Sequence, residues 1–225
     1  MTSALRLARL ALAPWMALAG CGAGGGAAAP AARALCAADA EAGAALHARP
    51  ASAQELAALQ GCRRLASLQV RTGAALDLGA LHALQEVDGD LTLGPSLAID
   101  AAALPGLRRV GGELRVTSNG ALSAVLLPAL REAARLVISH NPALATVSAP
   151  RLARAQRVAL ASNAALEVLL LTELAQVAEL ALDGSPGLAV VELAQSPAVG
   201  RWALGEVLGP AGPALRQQAQ AQAGP

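Results

Sequence analysis

Aromatic residues and lysine are nearly or completely missing from this chain. Its 225 residues include no Phe, no Tyr and no Lys, and the two Trp are Trp15 and Trp202, although 55% of the residues are hydrophobic. A compact globular core usually depends on the large area that aromatic side chains bury. This chain must instead bury many small contacts of Leu, Val and Ala, which favours a thin, regular architecture.

Charge of one sign is not in excess either. The formal net charge is +1, with Arg as the only basic residue apart from His. Removal of residues 1–20 would take away Arg6 and Arg9 and leave a slightly acidic chain. This balance gives no electrostatic reason to expect nucleic acid or an anionic membrane surface as a partner. We therefore expect no nucleic-acid binding.

The first 21 residues have the pattern of an export signal. Arg6 and Arg9 form a positive start, and the apolar run over residues 10–19 is too short to span a bilayer. The segment ends on Leu-Ala-Gly-Cys at residues 18–21, which resembles the bacterial lipobox. The resemblance implies a signal peptide over residues 1–20, cleavage before Cys21 and lipidation of Cys21. An ordinary signal peptide, or a buried helix with an incidental Cys, is the alternative.

A lipidated Cys21 would anchor the exported chain to a membrane of the cell envelope, because two or more acyl chains hold a protein stably in a bilayer. The residue after Cys21 is Gly22 rather than Asp, so the outer membrane is favoured if the host is Gram-negative. Gly, Ala and Pro dominate the next residues. We expect residues 21–35 to form the lipidated Cys and a flexible tether.

A repeat of 22–23 residues extends over most of the remaining chain. Starting from the apolar-x-apolar triplet at 114–116, steps of 22 or 23 residues reach similar triplets at 68–70, 91–93, 136–138, 158–160, 180–182 and 202–204. Three further apolar columns stay in phase with these triplets. A unit of this length cannot bury its own apolar side, so neighbouring units must stack. The pattern predicts a mainly β, right-handed β-solenoid over residues 36–204, with a cap remnant and a disordered tail over residues 205–225.

The repeat also contains a turn column that carries Asn119, Asn141 and Asn163, with Ser at the equivalent positions 96 and 185. Asn tolerates the left-handed backbone conformation, and its amide can hydrogen-bond along a stacked row. A polar binding strip is the functional interpretation. We interpret the row as a structural ladder, because every rung needs the turn.

A short helix is expected to cap the N-terminal end of the solenoid. Ser52-Ala53-Gln54-Glu55 has the spacing of a capping box, with Ser52 at the N-cap and Glu55 three residues later. Cys36 and Cys62 flank this helix and form an even pair in an oxidising compartment. We predict a disulfide between them. Two free thiols are the alternative, and His47 alone could not complete a zinc site.

The sequence from Cys36 through residues 52–70 resembles the opening of the receptor L domain, a leucine-rich-repeat-like module of insulin- and EGF-type receptors. The family pattern of a helix, a Cys, a strand and L-x-x-L-x-x-V-x-G-x-L-x-I is matched over residues 81–93 and 104–116. Ala66 replaces an expected Gly, and the rungs from Leu136 onward lack the V-x-G signature. The resemblance implies the fold and does not extend to hormone binding.

No catalytic constellation is expected. His47, His82 and His140 lie in different columns, so the sequence predicts neither a metal triad nor a Ser–His or Cys–His pair. We predict no enzyme activity, no metal site and no cofactor. A polysaccharide-active β-helix enzyme is the alternative, because several carboxylates cluster in the early rungs: Asp77, Asp88, Asp90, Asp100 and Glu113.

Strand alternation places apolar side chains on the outside of a second strand stretch, at Leu126, Val168, Leu170 and Val190. If they point outward, they form a contiguous patch of the kind that marks a partner site. A register error of one residue would turn them inward. Small-sugar binding usually relies on aromatic stacking, and Trp202 is expected in the core or cap of the last rung. The sequence therefore favours an envelope or extracellular protein as partner, with a purely structural envelope protein as the alternative.

Overall fold

The structure, a computed structural model, describes residues 46–73, 76–96, 98–195, 197–205 and 208–223. It is a mainly β solenoid of about seven turns, in which parallel strands stack into two sheets. The signal peptide, Cys21, the tether and Cys36 lie outside the described residues, so the predictions on them remain predictions.

The larger sheet has ten strands and the smaller one has five. The strands of the larger sheet are β1 (His47–Ala48), β2 (Arg64–Leu65), β3 (Ser67–Thr72), β4 (Glu86–Val87), β5 (Leu91–Ser96), β7 (Arg109–Thr117), β9 (Glu132–Ser139), β11 (Arg154–Ala161), β13 (Gln176–Asp183) and β15 (Ala198–Leu204). Those of the smaller sheet are β6 (Ala101–Ala103), β8 (Ala124–Leu126), β10 (Thr146–Ser148), β12 (Val168–Leu171) and β14 (Val190–Leu193). The helices are α1 (Ala53–Ala57), a 3-10 helix (Leu78–Leu81) and α2 (Gly212–Ala223).

The repeat predicted from the sequence is the register of the larger sheet. Leu114 pairs with Leu136, and the same column continues through Val158 and Leu180 to Trp202. The column also extends back through Leu91 to Leu68. The predicted succession of triplets is confirmed, because each one lies beside its neighbour in a parallel pair.

Small aliphatic side chains fill the interior between the two sheets. Leu114, Leu136, Val158 and Leu180 are fully buried, and so are the columns that begin at Leu122 and Leu130. Because adjacent strands lie about 4.8 Å apart, each side chain packs on its equivalents in the rungs on either side. This stacking replaces the aromatic core that the composition excludes.

The Asn ladder is present and buried. The Asn141 side-chain oxygen accepts from the backbone N–H of Asn119 at 3.0 Å, and the Asn163 oxygen accepts from the backbone N–H of Asn141 at 3.2 Å. The Asn141 amide nitrogen also donates to the Val116 carbonyl at 3.1 Å. The prediction that an Asn amide bonds along the stacked row is confirmed.

The left-handed residue of each turn is not the Asn, as the sequence had suggested, but the residue before it. Ser118, His140 and Ser162 have φ values of 56°, 57° and 55°. The left-handed residue reverses the chain so that the next side chain points into the interior. Asn is therefore selected for its buried amide, and the turn conformation falls on its neighbour.

At the N-terminal end, Ser52 accepts a hydrogen bond from the Glu55 N–H at 3.2 Å, as an N-cap does. The Glu55 carboxylate accepts from the Ala51 N–H at 2.8 Å, one residue earlier than a capping box requires. Leu56 is the buried residue of α1. Cys62 is buried and disulfide-bonded, and its pairing with Cys36 remains a prediction.

The C-terminal end differs from the predicted disordered tail, because residues 212–223 form helix α2. Leu215 of this helix and Ala211 before it are buried. They pack beside the last rung, whose own core residues Val199 and Leu204 are only partly buried. The exposed end of the apolar column provides the surface on which α2 folds, a tertiary cause that composition alone does not reveal.

Replacement of Asn141 by Ala should destabilise the protein by about 3 kcal/mol, because it leaves the buried N–H of Asn119 without an acceptor and removes the donor to Val116. Ser148→Ala on the same rung is the control, since Ser148 points outward, and it should change stability by about 0.5 kcal/mol or less. Denaturant unfolding of both variants measures the difference. Equal stabilities would contradict the role assigned to the ladder.

Candidate binding surfaces

The four apolar residues Leu126, Val168, Leu170 and Val190, here named the apolar face, point outward from the five-stranded sheet. Their alternate neighbours point inward, since Val125, Leu127, Leu169 and Leu171 are all buried. Leu126 is 38% exposed and Val190 is 42% exposed, while Val168 and Leu170 are half-buried. The predicted register of this sheet is confirmed.

The apolar face is less continuous than the sequence suggested. Val168 and Val190 are direct partners on adjacent strands, and Leu170 lies two residues along from Val168. Ser148 separates Leu126 from Leu170, because both pair with it on either side. The face therefore consists of a three-residue group with Leu126 one strand farther away.

The surroundings of the apolar face are almost uncharged. Its two outward columns hold, in strand order from β6 to β14, Ala101, Ala124, Thr146, Val168 and Val190, and Ala103, Leu126, Ser148, Leu170 and Glu192. Glu192 is the one ionisable residue in these columns. A flat outer sheet surface with so little charge is compatible with burial against a partner.

The outer surface of the ten-stranded sheet is highly charged by comparison. One column runs across the strands as Arg64, Glu86, Arg109, Glu132 and Arg154, with alternating sign. Glu132 forms ion pairs with Arg109 and with Arg154. Such exposed pairs contribute little stability individually, but the alternation keeps opposite charges beside each other in every step of the register.

Glu113 is the most enclosed ionisable residue of this surface, at 9% exposure. Its two carboxylate oxygens accept from the Nε of Arg115 at 2.5 Å and from the Nε of Arg135 at 2.9 Å. Burial raises the pKa of the Glu113 carboxyl, but the hydrogen bonds and charges of the two arginines together lower that pKa below its usual value.

The carboxylates that suggested an enzyme do not converge. Asp77 accepts from the N–H of Gly79 at the start of the 3-10 helix, and Asp88 pairs with Arg64 at 2.8 Å. Asp90 accepts from the backbone N–H of Glu113 at 2.8 Å. Within the part of the chain that the structure describes, no group of three or more His, Cys, Asp or Glu could hold a metal ion.

A Ser–His pair exists, contrary to the expectation from the histidine columns. The Nδ1 atom of His47 lies 2.7 Å from the Oγ of Ser67. The two residues meet because β1 pairs with β3 and places His47 beside Ser67. The two-residue strand β1 precedes the repeat and has no apolar triplet, so the columns gave no signal for it.

The pair at His47 resembles the base and nucleophile of a hydrolase only in part. In such enzymes a third group orients the base. No hydrogen bond joins the His47 ring to a carboxylate among the described residues. The geometry fits a contact that ties the first strand to the second.

Trp202 is half-buried in the last rung, where its indole N–H donates to the Gln222 side-chain oxygen at 3.1 Å. The prediction for Trp202 is confirmed, because it belongs to the core column and contacts the terminal helix. An uncharged cavity of about 820 Å³ lies beside it, between the last rungs and α2. Four glutamines contribute to its lining: Gln176, Gln195, Gln218 and Gln222.

No protein-family model, no curated protein and no solved structure matches this chain. Among the described residues, none of the helices has the length and apolar character needed to cross a membrane. The assignment of function therefore depends on the surfaces themselves.

The lowered pKa of Glu113 predicts a pH dependence of stability. A carboxyl whose pKa is lower in the folded than in the unfolded chain stabilises the fold fully above the unfolded value of about 4.3, and this contribution is lost as the pH falls through the folded value. Wild type should therefore lose stability between about pH 5 and pH 3 more steeply than Glu113→Gln. Thermal unfolding across this range tests it, with Glu192→Gln as an exposed control that should follow wild type.

Proposed function

We propose that this protein is an exported envelope lipoprotein that presents a non-catalytic solenoid to another envelope or extracellular protein. The apolar face is the surface that binds this partner. The membrane anchor is the acylated Cys21, and residues 22–35 act as the tether between the anchor and the solenoid.

The observation that carries the protein-binding proposal is the outward direction of the apolar face. Leu126 and Val190 are the exposed large hydrophobic residues among those described, and both lie on the same sheet. Scattered exposed apolar residues need no explanation, whereas a group on one rigid face is typical of an interaction site. The parallel pairing of five strands fixes the relative positions of these side chains before the partner arrives, which lowers the entropic cost of binding.

The finer architecture belongs to the same proposal. We infer a right-handed coil of the receptor L-domain or leucine-rich-repeat type, with α1 as the cap of its first rung and a Cys36–Cys62 disulfide that ties the cap to the solenoid. The buried Leu56 and the disulfide-bonded Cys62 support this arrangement. A cap of this kind protects the end of a stacked apolar core from water.

The anchor is tested by Cys21→Ser. Without the thiol no lipid can attach, so the intact mass should lack the acyl groups and the protein should leave the membrane fraction. Cys36→Ser is the matched control and should keep both the acyl mass and the membrane association. A Cys21→Ser protein that stays in the membrane fraction through the same anchor would contradict lipidation at this residue.

The partner face is tested by Leu170→Asp. Because Leu170 points outward, its replacement should change stability no more than Val137→Asp does, by about 1 kcal/mol or less. Val137 is the matched control, since it is a half-buried outward residue between the buried Leu136 and Ile138 on the other sheet. Leu170→Asp should abolish the recovery of cross-linked partners from intact cells, and Val137→Asp should preserve it.

Two results would count against the proposed face. A Leu170→Asp protein as stable as the control that recovers the same partners as wild type would exclude this face as the site. Early melting of Leu170→Asp, at the level of the inward variant Leu169→Asp, would show that Leu170 is buried in the core. In the first case a purely structural envelope protein would be the better description.

A further inference from the structure

A second surface lies at the corner where the chain passes from the five-stranded into the ten-stranded sheet. Over three consecutive rungs this corner presents five exposed arginines, here named the basic corner: Arg108, Arg109, Arg131, Arg151 and Arg154. The turns stack directly, because the N–H of Arg131 donates to the Arg108 carbonyl at 2.8 Å and the N–H of Ala153 donates to the Arg131 carbonyl at 2.9 Å. The guanidinium groups therefore lie in rows parallel to the solenoid axis.

Most of this positive charge is not neutralised within the described residues. Glu132 pairs with Arg109 and Arg154. Arg108, Arg131 and Arg151 have no carboxylate within ion-pair distance in the described part of the chain. The near-zero net charge of the chain thus conceals a local excess of positive charge on one edge of the solenoid.

The shape beside the basic corner is elongated and shallow. A cavity of about 340 Å³ runs along the outer surface of the ten-stranded sheet, with Arg109, Glu132 and Arg154 on its margin. Gly111 and Ala134 also line it, and their small size leaves the space open. Because the rungs repeat about every 4.8 Å, a linear polymer lying along this edge would meet a cation at each step.

We propose that the basic corner binds a linear acidic polysaccharide through its carboxylate groups. Arg forms paired hydrogen bonds with carboxylates in a fixed planar geometry, and three of the five arginines have no partner that would compete. This surface is separate from the apolar face, so the proposal does not depend on the protein-binding function.

Two other anionic partners fit the corner less well. Insertion into a lipid surface needs apolar side chains beside the cations, but the exposed large hydrophobics among the described residues, Leu126 and Val190, lie on the smaller sheet. Single-stranded nucleic acid is held largely by stacking on aromatic rings. The described residues include one aromatic side chain, Trp202, which belongs to the last rung.

The experiment measures binding of labelled polygalacturonate to the full chain carrying Cys21→Ser, so that no acyl group contributes. The test variant replaces Arg108, Arg131 and Arg151 by Gln. The matched control replaces Arg49, Arg71 and Arg201 by Gln, which removes the same charge at exposed positions elsewhere. We expect wild type and control to bind within about twofold of each other and the test variant to bind at least tenfold more weakly, with affinities that fall as salt is added.

Three results would overturn the proposal. Wild type might not bind polygalacturonate, which leaves the corner without this ligand. Equal losses in the two triple variants would show an effect of net charge alone. If wild type binds vesicles of anionic phospholipid more tightly than the polymer, with the same dependence on the three arginines, the ligand is a membrane surface. None of these results bears on the apolar face, which Leu170→Asp tests separately.

Discussion

Parallel hydrogen bonding between strands 22 residues apart holds this protein together, and each other feature inherits its geometry. A single rung has too few apolar residues to form a core, so Leu136 is buried only because Leu114 and Val158 lie beside it. The same register that stacks these leucines also aligns the Asn side chains in the turns, the alternating charges on one sheet and the apolar residues on the other. Any surface on this molecule is therefore a row, repeated at the spacing of the strands.

Much of the fold could be predicted from the sequence because of this repetition. A periodic column such as that of Leu114 is visible without any three-dimensional information, and the alternation around Leu169 was enough to predict that Leu170 points outward. What periodicity could not supply is the effect of residues that do not repeat. His47 lies before the first full rung, and its contact with Ser67 depends on a two-residue strand that no pattern marks.

The candidate surfaces show the same division. The outward direction of Leu170 followed from the alternation of one strand, but the interruption by Ser148 became clear only when three strands were aligned. The basic corner was invisible to the overall charge, because its arginines are separated by 20 or more residues in the chain and their sum is cancelled by acids elsewhere. Stacking converts charges that are distant in sequence, such as those of Arg108 and Arg131, into neighbours.

The ladder of Asn119, Asn141 and Asn163 also bears on how the length of such a protein can change during evolution. The rungs around Asn141 have equivalent neighbours on both sides, joined by the same backbone and amide hydrogen bonds. Duplication or loss of one whole 22-residue unit would reconnect identical columns and lengthen or shorten the rod by about 4.8 Å. Insertion of a few residues within a strand would break every column at once. Gene lineages that carry this fold should therefore differ in length by whole repeats, and their smaller insertions should be confined to the turns.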